Sequence, residues 1–283
     1  MRYLIVIGLF LSFSNLLAQG QNKSLAYKNS FLSTQWYLGF FAGSNLSSAN
    51  PITSFAGYAP LNYNVADIEK SYNNFSKFGG QAGLVFLFYT NGITIGLKPG
   101  IHSYTIEHNT SANWQETTNP DNSLEVNYNH ATHFNYVEFP LSVQYDLIQG
   151  RIRPYVGLGA YYGILLNATR TIERSGTDSA SGSAGGFTNQ PKTIGVKDLY
   201  ISSSLGLMGF IGASYDPGNI RICLDLGYKY GLNNITNTEN RYLNNELAAI
   251  GEAADDIQLH NLYLSLGFVF PLKFISKDYN SFN

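Results

Sequence analysis

The chain has one cysteine and two methionines in 283 residues, and only 13% of its residues are charged. The lone Cys223 cannot form an internal disulfide, so hydrogen bonding and packing must hold the fold. A net charge of −2 removes the electrostatic case for nucleic acid as a partner. Beyond the N-terminus no apolar run approaches the roughly 20 residues of a spanning helix. What the chain does have is 14% aromatic residues, with 21 tyrosines, and 28 glycines. An exported chain of this kind without a spanning helix points to β-structure, either soluble or in an outer membrane.

Export is read from the first residues. Arg2 supplies a positive start, Tyr3 to Leu17 are mostly apolar, and Ala18 is a small residue before a cut. Residues 1–18 are expected to be a secretory signal peptide cleaved after Ala18. A membrane anchor fits less well, because Ser12, Ser14 and Asn15 break the run. No cysteine lies near the cut to carry a lipid.

Period-two alternation marks eight segments: 35–46, 78–90, 93–108, 131–148, 151–171, 198–215, 220–233 and 259–272. The fourth puts Val137, Phe139, Leu141, Val143, Tyr145 and Leu147 on one face, and Glu138, Ser142, Gln144 and Asp146 on the other. Thr90-Asn91-Gly92, Gln149-Gly150 and Asp216-Pro217-Gly218-Asn219 have the chemistry of tight turns. Between them lie long connections of roughly 20 to 30 residues, uncommon in compact domains. Short turns at one end and long loops at the other are the layout of an outer-membrane barrel with periplasmic turns.

The expected fold is therefore all-β, an eight-stranded antiparallel transmembrane barrel over 35–272 with four long extracellular loops. Residues 19–34 and 273–283 become periplasmic segments. Two-residue turns would set Asp146 opposite Arg153, Tyr89 opposite Thr94 and Ser214 opposite Arg221. Pro99 and Pro140 fall within strands, where bulges are expected. A soluble β-sandwich is the rival, but leaves the short-long alternation unexplained.

The apolar face is expected to meet outer-membrane lipid, with Trp36, Tyr145, Tyr215, Phe268 and Phe270 forming a girdle near the turns. Lys98, Glu138, Asp146, Arg153, Arg221, Asp225 and Lys229 fall on the opposite, inner face. Four bases against three acids suggest an internal ion-pair network, as buried charges must be paired. An eight-stranded barrel is about wide enough for side chains to fill, which favours a plug over a conduit.

No motif requires a cofactor. His102, His108, His130, His133 and His260 are placed toward the loop end. His108 and His130, with Glu107 and Glu125 nearby, are candidate metal or catalytic groups, but no ligand-spaced motif supports them. A rim enzyme built on Asp255, Asp256 and His260 is a weaker candidate. In the loops, 174–191 is expected to be flexible and 47–77 to fold over the opening. Leu243, Leu247 and Ile250 have helical spacing and suggest a short capping helix.

One hairpin carries a family resemblance. Tyr136-Val-Glu-Phe-Pro-Leu141, a turn, then Arg153-Pro-Tyr-Val-Gly-Leu-Gly-Ala160 resembles the outer-membrane barrels abundant in Bacteroidota, often labelled porin family and including PorT-type proteins. Glu138, Pro140, Pro154, Tyr155, Gly157 and Gly159 sit at the matching positions. The resemblance implies an outer-membrane barrel and a tolerated mid-strand proline, and it fixes no activity. For PorT-type members it implies a link to protein secretion. The favoured expectation is a non-enzymatic barrel whose loops bind an envelope or secretion partner. A narrow small-solute porin and a rim enzyme are the alternatives.

Overall fold

The computed structural model describes residues 32–55, 70–148, 150–179 and 184–273. The expected leader, most of the 19–34 segment and nearly all of the C-terminal tail lie outside the described residues. The strands are β1 (Gln35–Thr53), β2 (Ser71–Asn73), β3 (Phe78–Thr90), β4 (Ile93–Leu97), β5 (Gly100–Gln115) and β6 (Ser123–Asp146). They continue as β7 (Ile152–Asp178), β8 (Gly185–Thr188), β9 (Lys192–Gly195), β10 (Ser203–Tyr215), β11 (Arg221–Gly231) and β12 (Asp256–Pro271). A short helix, α1, covers Asn245–Ala249.

β4 and β5 are one strand interrupted at Lys98-Pro99. Eight staves then pair antiparallel in the order β1, β3, β4/β5, β6, β7, β10, β11, β12, and β12 returns to β1. Closure leaves the ring without a free edge, which a membrane requires. The periplasmic end is set by tight turns. Asn91 and Gly92 both take positive φ, +48° and +85°, as a type I′ hairpin demands, and Tyr89 faces Thr94 as expected.

The other two expected registers are wrong by two residues. Asp146 faces Tyr155, and Ser214 faces Cys223. Both turns are longer than two residues, and an even shift leaves every side chain on its expected face. The bulges expected at the prolines are also absent. Pro140 pairs with Tyr161 in unbroken register, and β3 holds one register on either side of Pro99. A proline removes one donor but inserts no extra residue. The carbonyls of Pro99 and Pro140 still accept from Leu84 N at 2.9 Å and Lys98 N at 3.0 Å.

A bulge does lie nearby, between β6 and β7. Asn135 pairs with Asn167 but Tyr136 pairs with Leu165, so Leu166 is extra. Tyr161, Gly163 and Leu165 point inward below it, whereas Ala168 and Arg170 point inward above it. One inserted residue has exchanged the faces of β7.

The outward face is apolar along the lower staves, with Leu38, Leu84, Ile95, Leu141, Leu158, Leu207, Leu226 and Leu264 exposed. Trp36, Tyr145, Tyr215 and Phe270 are exposed toward the turns, where an interfacial girdle belongs. β1, β5, β6 and β7 extend well past their expected extracellular ends. Within 174–191, expected to be flexible, 174–178 instead complete β7 and Gly185–Thr188 pairs with it as β8, while 180–183 lie outside the described residues.

Inside, large rings meet glycines. A Cβ at Gly157 would overlap the Phe210 ring, and one at Gly227 would crowd Tyr263. Further toward the loops, Tyr104, Phe134, Tyr136, Leu199, Ile235 and Leu259 form an apolar plug. Leu247 on α1 is buried in the same cluster, while Leu243, expected on that face, is exposed.

Candidate functional site

The lumen contains charge in tiers. At the turn end, Arg153 bonds Asp216 (Nη1–Oδ2 2.6 Å) and approaches Asp146 (Nε–Oδ2 3.5 Å), while Arg221 reaches Asp216 (Nε–Oδ1 3.0 Å). The Arg221 guanidinium also lies over the rings of Tyr37 and Tyr89 at 4.4 and 5.4 Å. Above them Lys98 pairs with Asp225 (Nζ–Oδ2 2.6 Å), which also accepts the Tyr155 hydroxyl. Next, Lys229 bonds Glu138 (Nζ–Oε2 2.5 Å), and Tyr104 donates to the same carboxylate at 2.6 Å.

All seven inner-face charges expected from alternation therefore lie in the lumen, each beside an opposite charge. Asp216 was assigned only a turn role. Among the described residues it brings the lumen to four acids, Glu138, Asp146, Asp216 and Asp225, against four bases. Isolated buried charges would be prohibitive, and neutral pairs with further hydrogen bonds are the affordable arrangement. The void beside Lys98, Asp225 and Met208 measures about 20 Å³, room for roughly one water.

A second cluster roofs the barrel. Glu252, in the loop after α1, accepts from Arg170 on β7 (3.3 Å) and meets His108 Nε2 on β5 (3.1 Å). Lys70 bonds Asp255 at 2.8 Å and lies 3.6 Å from Glu252, and Tyr72 donates to Asp255 at 2.8 Å. Arg170 also donates to Tyr200 (2.8 Å) and Thr132 (2.9 Å). The His108 and His130 rings stack at 4.6 Å, 6° from parallel.

This roof lies outside the membrane. On β5, β6 and β7 the last complete outward apolar row is Ile101, Val137 and Ile164, with only the bulged Leu166 exposed just above it, and His108 and His130 each lie seven residues beyond it. Burial lowers the pKa of His108 and pushes that of His130 down to about 3, so both are neutral. For Glu252 burial acts upward, but the hydrogen bond from His108 and the charges of Lys70 and Arg170 outweigh it and hold the carboxyl well below its ordinary value. With neutral imidazoles, Lys70 and Arg170 balance Glu252 and Asp255.

His108, His130 and Glu252 each place one donor atom within 4.8 Å of the others. Bonds of about 2.0 Å to a tetrahedral ion imply ligand separations of about 3.3 Å. His108 meets that against Glu252, but His130 stands 4.0 Å away. Ligating histidines also anchor their second nitrogen, whereas both Nδ1 atoms here are buried without a hydrogen-bond partner among the described residues. As placed, the three side chains with Arg170 and Lys70 form a latch that ties one loop to the staves.

Other expected groupings do not meet. Glu107 faces outward to Lys77 at 2.9 Å, and Glu125 is exposed. His102 lies within the lumen against Gln81, and His133 faces outward between Ser103 and Thr105. Asp255 is held by Lys70, Asp256 by Arg241 at 2.6 Å, and His260 stacks on Tyr230 at 4.5 Å, so they form no catalytic constellation.

The family model for "Outer membrane protein beta-barrel domain" matches residues 17–237. Among solved structures, OprG of Pseudomonas aeruginosa is 12% identical with a TM-score of 0.38, covering 85% of this chain and 96% of its own. The E. coli outer membrane protein W is 15% identical with a TM-score of 0.30, covering 84% and 99%. Ail of Yersinia pestis, in complex with the heparin analogue sucrose octasulfate, is 12% identical with a TM-score of 0.30, covering 83% and 99%. No curated protein sequence matches the chain. With the family model spanning most of the chain, and a closed eight-stave ring beneath it, the protein belongs to the outer-membrane β-barrel domain family.

Proposed function

We propose that this is a closed, non-enzymatic outer-membrane barrel that acts through its extracellular surface as a binding accessory to envelope assembly or secretion. The filled lumen carries the reading. Four ion-paired bases and four acids, an aromatic plug and a latched roof occupy the path that a porin would leave open. The engagement of Asp255, Asp256 and His260 by three different partners argues against a rim enzyme. The secretion role is suggested by the PorT-type resemblance of the Glu138–Pro140 and Pro154–Gly159 segments.

Planar-bilayer recording on the refolded full chain tests the proposal. The expected result is no steady conductance at neutral pH. A stable open channel would sink the closed-barrel reading in favour of a narrow porin.

A further inference from the structure

The outward faces of β5, β6 and β7 change chemistry at one level. Up to the row Ile101–Val137–Ile164 they are apolar. Above it the outward positions are mostly asparagine, serine and threonine. Cross-strand register arranges some of these side chains in two rows. Asn109, Asn129 and Glu173 form one, and Ser111, Asn127, Ser175 and Thr188 the next. Side by side, the rows make a sheet face dense in neutral donors and acceptors.

A cleft of about 390 Å³ opens among Asn109, Asn127, Tyr128, Asn129, Ser175 and Thr188, and the Asn129 Oδ1 is buried without a hydrogen-bond partner among the described residues. Such a volume fits one or two sugar rings, and pockets of this size hold small ligands. Two charged side chains also line it, Glu173 and Arg174, of opposite sign. Arg174 is stacked over Tyr128 and Phe187 at 5.9 and 5.1 Å. Tyr128, the aromatic residue of the lining, is covered by Arg174 rather than free to anchor a protein, and the opposite charges of Glu173 and Arg174 leave no surplus of positive charge for phosphate.

Height decides the source of the ligand. Asn129 lies eight residues above Val137 on β6. At about 3.3 Å per residue and a tilt of about 40°, that is roughly 20 Å above the apolar belt. A phospholipid headgroup layer is only about 5–8 Å deep. A headgroup that reaches this cleft from the outer leaflet must be several sugars long.

We infer that this cleft binds the oligosaccharide headgroup of an outer-leaflet glycolipid, through the amides of Asn109, Asn127 and Asn129. The inference rests on the membrane placement of the barrel and not on whether its lumen conducts.

The test uses the full chain in phospholipid nanodiscs doped with rough lipopolysaccharide, either with a complete core oligosaccharide or truncated to its innermost sugars. Native mass spectrometry after release counts the glycolipid retained. The full-core form should be retained about tenfold more than the truncated form, and Asn127→Ala with Asn129→Ala should abolish that preference. Heat-modifiable migration checks folding of the variant, and Thr188→Ala, at the edge strand, gives a milder version of the same loss. Equal retention of both forms, or an unchanged preference in folded variants, would overturn the inference. So would equally tight binding of delipidated core oligosaccharide, since the site would then serve free sugar.

Discussion

The turn-end lumen and the roof are both buried clusters of opposite charges, yet they are built differently. In the lower cluster Asp146 and Arg153, or Asp216 and Arg221, come from neighbouring staves or the turn between them. In the roof Glu252 reaches His108 across 144 positions of sequence, on a loop held by the Tyr200–Thr236 bridge and a few backbone hydrogen bonds rather than by a continuous ladder. The lower pairs should therefore be lost only with the barrel. The roof can be released while the barrel stands, because local opening draws on the least-anchored segments.

Three perturbations sharpen that contrast. The largest effect belongs to the lumen. Lys229→Met strands the Glu138 carboxylate and should cost about 3–5 kcal/mol in global stability, measured by urea unfolding in lipid bilayers. A loss below 1 kcal/mol would mean the pair is solvated rather than buried.

Glu252→Gln should cost about 2 kcal/mol, and locally, since it removes charged hydrogen bonds from Arg170 and His108. Amide exchange should accelerate over 245–257 and stay slow in β10 and β11. Uniform acceleration across all staves would show that roof and barrel unfold as one.

The smallest effect is that of acid. His108 and His130 have lowered folded-state values, so their contribution is complete above the ordinary histidine range and declines as the pH falls below it. Glu252, also lowered, adds a loss of the same sign as the pH drops through the ordinary carboxylate range. Protection factors in the roof, corrected for the intrinsic exchange rate, should therefore fall between about pH 6.5 and 3. Protection that rises on acidification would contradict this sign.

The same contrast explains what alternation could disclose. In β6 and β11 lipid on one side and a polar lumen on the other impose opposite chemistries, so Glu138 and Lys229 are legible from parity alone. Two observed registers differ from the expected ones by two residues, a shift that preserves faces. Above the belt that contrast fades. Asn127 and Asn129 face outward and Tyr128 and His130 inward, with polar groups on both sides, so β6 gave no sign of starting at Ser123. Arg170 was hidden for a sharper reason. The extra Leu166 exchanges the faces of β7, and period-two counting from Tyr155 would send Arg170 outward. Nothing local marks Glu252 as the partner of His108, since only the fold brings them together.

The central claim is that the lumen is closed by true pairing, and a double-mutant cycle at Glu138 and Lys229 tests it most directly. Glu138→Gln, Lys229→Met and the double variant would be unfolded in the same bilayers. The account predicts that the double variant loses much less than the sum of the singles, because neither charge is left alone. Strict additivity would contradict it, showing that the two groups stand in water and that the barrel is a conduit.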